Sequence, residues 1–263
     1  MRHLFILLFI FTFRILAAQI LTVDNANVNS DSSNFIAGSV SFKFNINNQS
    51  SKKDEEIIFK GLDSKADMIY VGKQHAYIFI NKLNYFSSTG GPFVSTGYSH
   101  FRINWYRKNK ISYETFTQAQ YDEGRNMPLR WLGGAGLRLN LIDNEKGHLY
   151  IGTGAMYELE RWKNPDFEDQ IITKEILKTT NYLRAKFNFN SKVTLNFITY
   201  YQGGKDIQKN IWRDRLINNT HFSAKITDIL SFITSLSLQY DFAPIIPIKK
   251  YNYSLTNGIQ FSF

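Results

Sequence analysis

Polar and apolar residues alternate along most of this chain. In the last segment Tyr251, Tyr253, Leu255, Asn257, Ile259, Phe261 and Phe263 fall on one face, and Asn252, Ser254, Thr256, Gly258, Gln260 and Ser262 fall on the other. A period of two marks a strand with one apolar side. The same pattern runs through Val40, Phe42, Phe44 and Ile46, through Leu129, Trp131, Gly133, Ala135, Leu137 and Leu139, and through Leu230, Phe232, Thr234, Leu236, Leu238 and Tyr240. Helical three-four spacing is nowhere sustained. The alternation predicts about twelve strands, over residues 35–47, 57–72, 74–86, 97–108, 110–122, 129–142, 147–161, 175–190, 192–203, 212–227, 230–242 and 250–263. Residues 57–86 alternate least clearly, because Asp63, Lys65 and Asp67 share a face with Ile57 and Phe59.

The expected connections alternate as well. Those after even-numbered strands are short: Lys73, Asn109, Asp143 to Lys146, Ser191, and Thr227 to Ile229. Those after odd-numbered strands are longer and more polar, as in Asn48 to Glu56, Ser87 to Thr96, Trp162 to Lys174 and Gly204 to Ile211. Long loops at one end and tight turns at the other, with an even strand count, are the layout of an outer-membrane barrel. Apolar-face aromatics support it. Tyr121, Trp131, Tyr157, Tyr201, Tyr240 and Tyr253 form one expected ring, and Trp105, Tyr113, Phe187, Phe189, Phe261 and Phe263 form a second near the short turns. A tilted strand crosses a bilayer in roughly 9–11 residues, which matches the spacing of the two rings. Closure into a barrel would also remove both sheet edges, which are costly in lipid.

Composition narrows the class further. The 263 residues include no cysteine, 43% are hydrophobic and 16% aromatic, which excludes disulfide scaffolds and cysteine zinc sites and argues against disorder. At the N-terminus Arg2 and His3 precede an apolar run from Leu4 to Phe13, followed by small residues at Ala17 and Ala18. That is the form of a cleaved signal peptide, residues 1–18, and Arg14 cuts the run too short for a retained anchor. Residues 19–34 are then a periplasmic extension, and residues 35–263 the barrel. The formal charge of +9 is not gathered into a basic tail or helix face, and an exported chain has no nucleic-acid partner.

One stretch carries a family likeness. Tyr98-Ser99-His100-Phe101-Arg102-Ile103-Asn104-Trp105 is followed by Glu114-Thr115-Phe116-Thr117-Gln118-Ala119-Gln120 and then by Arg130-Trp131-Leu132-Gly133-Gly134-Ala135-Gly136-Leu137-Arg138. Together with the prolines of Ala243-Pro244-Ile245-Ile246-Pro247, these residues resemble the YdiY-like family of salt-induced outer-membrane proteins, a domain of unknown function. The resemblance implies an outer-membrane β-barrel and no established chemistry.

Candidate function must come from the inward faces. These carry Lys43, Arg102, Arg130, Arg138, Arg184, Lys186, Arg213, Arg215 and Lys225 against Glu114, Glu158, Glu160 and Asp241. Two readings stay open. A ring of Arg and Lys would favour passage of a small anionic solute, whereas the same groups paired across a narrow lumen would fill it. Gly134, Gly136, Gly152 and Gly154 are expected to neighbour one another, leaving wall without side chains where Arg138 or Tyr182 could lie flat. A lipid-acting acyl hydrolase or acyltransferase is the alternative class, and His221-Phe222-Ser223 is its only His and Ser pair on one face. That face is the inward one, away from acyl chains, so no catalytic residue is assigned. His75, His100, His148 and His221 show no metal-ligand spacing, and no metal or cofactor is expected. The sequence therefore predicts a non-enzymatic outer-membrane β-barrel of a Gram-negative bacterium, either a narrow pore or a structural, stress-related envelope component. Its expected partners are outer-membrane lipids and the barrel-assembly machinery, which would read the C-terminal strand ending on Phe263.

Overall fold

A computed structural model describes residues 33–48, 57–89, 91–144, 146–167, 170–227 and 229–261. The expected signal peptide, most of the periplasmic extension and the terminal Phe263 lie outside these residues. The chain folds as twelve antiparallel strands in sequence order: β1 (Phe35–Asn48), β2 (Ile58–Val71), β3 (Ala76–Ser88), β4 (Gly91–Trp105), β5 (Ile111–Asp122), β6 (Met127–Asn144), β7 (Gly147–Lys163), β8 (Ile171–Asn188), β9 (Val193–Asp206), β10 (Ile211–Lys225), β11 (Leu230–Asp241) and β12 (Tyr251–Phe261). The fold is an all-β, up-and-down barrel. Its alternation is that of a membrane barrel: Trp131, Leu137, Ile151, Tyr157, Leu177 and Leu183 are exposed, while Arg130, Arg138, Glu158 and Lys178 are buried. Charges inside and hydrocarbon outside invert the order of a water-soluble core.

Local chemistry explains the tight turns. Asn144 Oδ1 accepts from the backbone N–H of Lys146 at 3.0 Å and of Gly147 at 3.2 Å. Asn190 Oδ1 does the same for Lys192 and Val193, both at 2.8 Å, and Thr227 Oγ1 accepts from Leu230 N at 3.1 Å. Each side chain satisfies donors that the reversing backbone leaves free. Two other turns at this end are tied together. Arg107, 1% exposed, donates from Nε to Gly72 O at 2.9 Å and from its backbone N to Gln74 O at 2.9 Å.

The opposite end departs from expectation. The loops there are shorter, because the strands run on past the membrane band. β3 and β4 are joined by two residues, where a loop over Ser87 to Thr96 was expected. β7 extends to Lys163 and β8 begins at Ile171, so the loop expected over Trp162 to Lys174 shrinks to residues 164–170. Polar outward residues such as Arg161, Thr173 and Glu175 do not stop a strand once neighbouring strands supply its hydrogen bonds, and Arg161 pairs directly with Thr173. The insecure β2 forms a continuous ladder with β1, from Asn48–Ile58 to Phe35–Val71. Its Asp67 points inward beside an apolar cluster of Ile69, Val71, Ala76 and Ile78. Among the described residues β1 and β12 each have one ladder partner, so the expected removal of both edges is not seen as a β1–β12 ladder. Side-chain contacts crossing from β4–β7 and the turn at Glu123–Arg125 to β8–β11 draw the sheet round.

Candidate functional site

Parity on the strands fixes what reaches the lumen. On β6 the even residues point in, on β7 the even residues, and on β10 and β11 the odd ones. Register then sets height: Arg130 lies opposite Glu160, Leu132 opposite Glu158, and Arg215 opposite both Gln202 and Asp241. At this level, toward the long-loop end, the side chains meet across the barrel. Glu158, 1% exposed, is bonded by three cations. Arg130 Nε donates to its Oε1 at 2.7 Å, Arg215 Nη1 donates to the same oxygen at 3.1 Å, and Lys178 Nζ pairs with Oε2. Glu160 Oε1 takes Arg215 Nη2 at 2.9 Å and Arg130 Nε at 3.2 Å. Asp241 takes Arg215 on one oxygen and Arg125 Nη2 at 2.9 Å on the other. Gln202 and Gln120 accept from Arg130 at 3.1 and 3.3 Å. Fork-shaped guanidinium groups bridging carboxylates in this way form short, directional bonds.

A second group lies nearer the tight turns. Tyr182 O–H donates to Glu114 Oε2 at 2.9 Å, Arg102 Nη1 lies 3.9 Å from the same oxygen, and Arg102 Nη2 donates to Tyr200 Oη at 3.2 Å. With its amide turned to match the groups it faces, Asn104 donates to Glu114 Oε1 and accepts from Arg138 Nη1, each at 3.1 Å. The Arg138 guanidinium sits 3.9 Å from the centre of the Tyr150 ring, a cation–π contact. The glycine patch serves this group. Gly136 pairs with Gly154, and Arg138 with Gly152. A Cβ on Gly152 would stand 2.0 Å from Tyr182 Cε1, so the ring lies flat over bare backbone. A Cβ on Gly134 would meet Phe116 Cζ at 2.7 Å.

Above the first group, the connection from β11 to β12 folds back into the mouth. Ile245 and Ile246 pack with Met127 and with Trp162, which is 1% exposed. Arg213 fastens this connection. Its Nη1 donates to Ala243 O at 2.6 Å and Pro244 O at 3.1 Å, while its Nε donates to Asp206 at 2.9 Å. The lumen is therefore roofed by apolar residues and crossed by two polar layers.

Of the candidate residues, Arg130, Glu158, Glu160 and Arg215 come together in the upper layer, Arg102, Glu114 and Arg138 in the lower one, and Arg213 in the roof. Arg184 is half-buried on β8, where it lies opposite Tyr150 and Ile198 in register. His221 does not meet Ser223. It bonds Ser235 Oγ across the β10–β11 ladder at 3.0 Å. Sequence reasoning missed Lys174, Lys178, Arg125 and Asp206. Lys178 shares parity with Tyr182 and Arg184, so its inward placement was readable. Asp206 was not, because it fell in an expected loop.

Fold and lumen together define an outer-membrane type of β-barrel. Residues 60–263 match the family described as "Protein of unknown function, DUF481", and the chain belongs to that family, which is the YdiY-like family. Among solved structures it is similar to a channel titled "TodX monoaromatic hydrocarbon channel deltaS2 mutant", with a TM-score of 0.43 and 10% identity over 90% of this chain and 83% of that one. No curated protein matches it.

Proposed function

We propose that this protein is a structural, stress-related component of a Gram-negative outer membrane, a barrel closed to ions in its resting state. The observation that carries the reading is the Glu158 layer beneath its roof. An anion-selective pore needs basic side chains free to face the permeating ion. Here the inward arginines at positions 130, 213 and 215 are bonded to Glu158, Glu160, Asp206 and Asp241, and Ile245 and Ile246 cover them. Inward pairing on this scale supports a lumen used as a scaffold. Non-enzymatic function is part of the proposal, and the inward His221–Ser235 pair supports it, since acyl-chain attack needs the lipid face. Lipids of the outer membrane and the assembly machinery are the partners the reading implies.

The test is planar-bilayer conductance of the refolded chain, with folding checked by heat-shifted gel mobility. A silent bilayer from folded protein is the expected result. Stable anion-selective steps that shift in Arg130→Ala and Arg138→Ala would overturn it and make the lumen a pore.

A further inference from the structure

The lipid-facing wall formed by β8, β9 and β10 is not uniformly apolar. Asn181 shares the outward parity of Leu177 and Leu183 on β8, and Asn218 that of Leu216 and Phe222 on β10. Both lie inside the band bounded by the Tyr157 and Tyr201 ring above and Phe187 below. An amide there meets hydrocarbon, where an unpaired polar group is costly. Hydroxyl groups hold each amide in place. Thr153 O–H donates to Asn181 Oδ1 at 2.7 Å, and Asn181 Nδ2 donates to Thr179 Oγ1 at 3.4 Å. Asn218 Nδ2 donates to Thr199 Oγ1 at 2.8 Å, and Thr220 O–H donates to Asn218 Oδ1 at 2.9 Å. A primary amide has two N–H donors and two lone pairs on its oxygen. Each side chain therefore keeps one N–H and one lone pair for a partner outside the barrel, and a lipid tail supplies neither.

The two amides lie at one height on either side of β9. Asn181 stands seven residues before the end of β8 at Asn188, and Asn218 seven before the end of β10 at Lys225, both ends being at the tight turns. Ladder rows do not run level in a tilted barrel. The row through Asn218 crosses β9 at Thr199 and reaches β8 at Leu183, two residues below Asn181, which is the slope expected of strands tilted by about 40°. A two-fold axis along the membrane normal, passing in front of β9, exchanges left and right and keeps height. It sets Asn181 of one copy against Asn218 of a second and repeats that contact on its other side, as an isologous interface requires.

We propose that the protein pairs in the outer membrane with a second copy of itself through the β8–β10 wall, Asn181 and Asn218 being joined across this axis by reciprocal amide hydrogen bonds. The proposal rests on the membrane-spanning reading above. Each amide offers what the other lacks, an N–H to one oxygen and an oxygen to one N–H. A different protein would have to match both amides at this height and spacing, a condition that a second copy meets by symmetry alone.

The test uses the full mature chain refolded into phosphatidylcholine vesicles. The sequence contains no cysteine, so Lys73→Cys, in a tight turn, takes a single fluorophore. Energy transfer between donor- and acceptor-labelled copies then reports association as lipid is added. Wild type is expected to associate, and Asn181→Leu with Asn218→Leu to weaken association about tenfold. Leucine suits the lipid face, so the barrel should still fold. Asn81→Leu, outward on β3 six strands from β9, should leave association unchanged. Thr199→Cys places a thiol on the axis and should be trapped by mild oxidation as a disulfide-linked dimer, whereas Phe79→Cys on β3 should not. Absence of transfer at every lipid dilution, association unaltered in the leucine pair, or crosslinking at Phe79 in place of Thr199 overturns the proposal. Membrane insertion is read separately on each variant, by heat-shifted mobility and flotation with the vesicles, so that failure to insert counts against the barrel reading instead.

Discussion

Glu158 shows how much a single buried carboxylate can be asked to hold. Three cations depend on it, and none can turn to water, since Arg130, Arg215 and Lys178 are each less than a tenth exposed. Removing its charge takes the ion-pair partner from Lys178 and leaves Arg130 and Arg215 to share Glu160 and Asp241, and breaking one side of a buried network in this way costs about 3–5 kcal/mol. Glu158→Gln keeps the shape and removes only the charge. Urea unfolding of the folded barrel should show a loss of this order, whereas Asp166→Asn, on an exposed loop, should change stability by less than about 0.5 kcal/mol. Gly152 tests packing in the same way. Its Cα faces the Tyr182 ring so closely that any Cβ displaces the ring, and with it the O–H bond to Glu114. Gly152→Leu should destabilise the barrel by about 1–3 kcal/mol. Tyr182→Ala in the same chain should return part of that loss, a coupling measurable as a double-mutant cycle. Gly258→Ala, where an added Cβ meets nothing within 4 Å beyond its own chain neighbours, should be close to neutral.

At the scale of elements, the β11–β12 connection is the most informative, because it is a loop in sequence and a plug in the fold. Ile245 and Ile246 leave water for the barrel mouth only because Trp162 and Met127 point inward there. Ile246→Asp would place a charge among apolar groups and should expel the segment. Trp162, now 1% exposed, should then become open to acrylamide quenching, and the connection should become a site of limited proteolysis. Unchanged quenching and protease resistance would show that Arg213 alone holds the roof in place. The strands themselves were legible, since a period of two with one face in lipid repeats in every strand from β4 to β12. The plug was not. Its residues fall between the strands expected over 230–242 and 250–263, and nothing in a local pattern says that an apolar loop will bend back into a barrel. Strand ends were misjudged for a related reason. Alternation reports which face meets lipid, so it fades where β7 and β8 rise beyond the bilayer, although hydrogen bonding carries on. Lys174 and Asp206, bonded at 3.3 Å where β8 and β9 rise past the end of their ladder, fall in expected loops for that reason.

For the whole molecule the question is whether the barrel is a scaffold or a channel with two closed doors. The inward charges were legible from parity, and their excess of basic over acidic groups suggested an anion path. Pairing was not legible, because it depends on which strands face each other across the lumen, and strand order alone does not give the curvature. The plug and the Glu158 layer lie one below the other, so they block in series. Opening either alone should leave the conductance close to zero, because a path through a narrow barrel is limited by its tightest section. Ile245→Asp with Ile246→Asp should therefore remain silent in a planar bilayer, as should Arg130→Ser with Glu158→Ser and Arg215→Ser, where small polar groups and water replace the ion pairs. Combining the two sets should give small stable steps, with anion preference set by Arg102 and Arg138 in the lower layer. Conductance from the plug variant alone would mean that the Glu158 layer already admits ions, and the lumen would then be a gated pore. Continued silence from the combined variant, in protein still folded by gel mobility, would place the final barrier in the Tyr182, Arg102 and Glu114 layer, a barrel closed along its whole length.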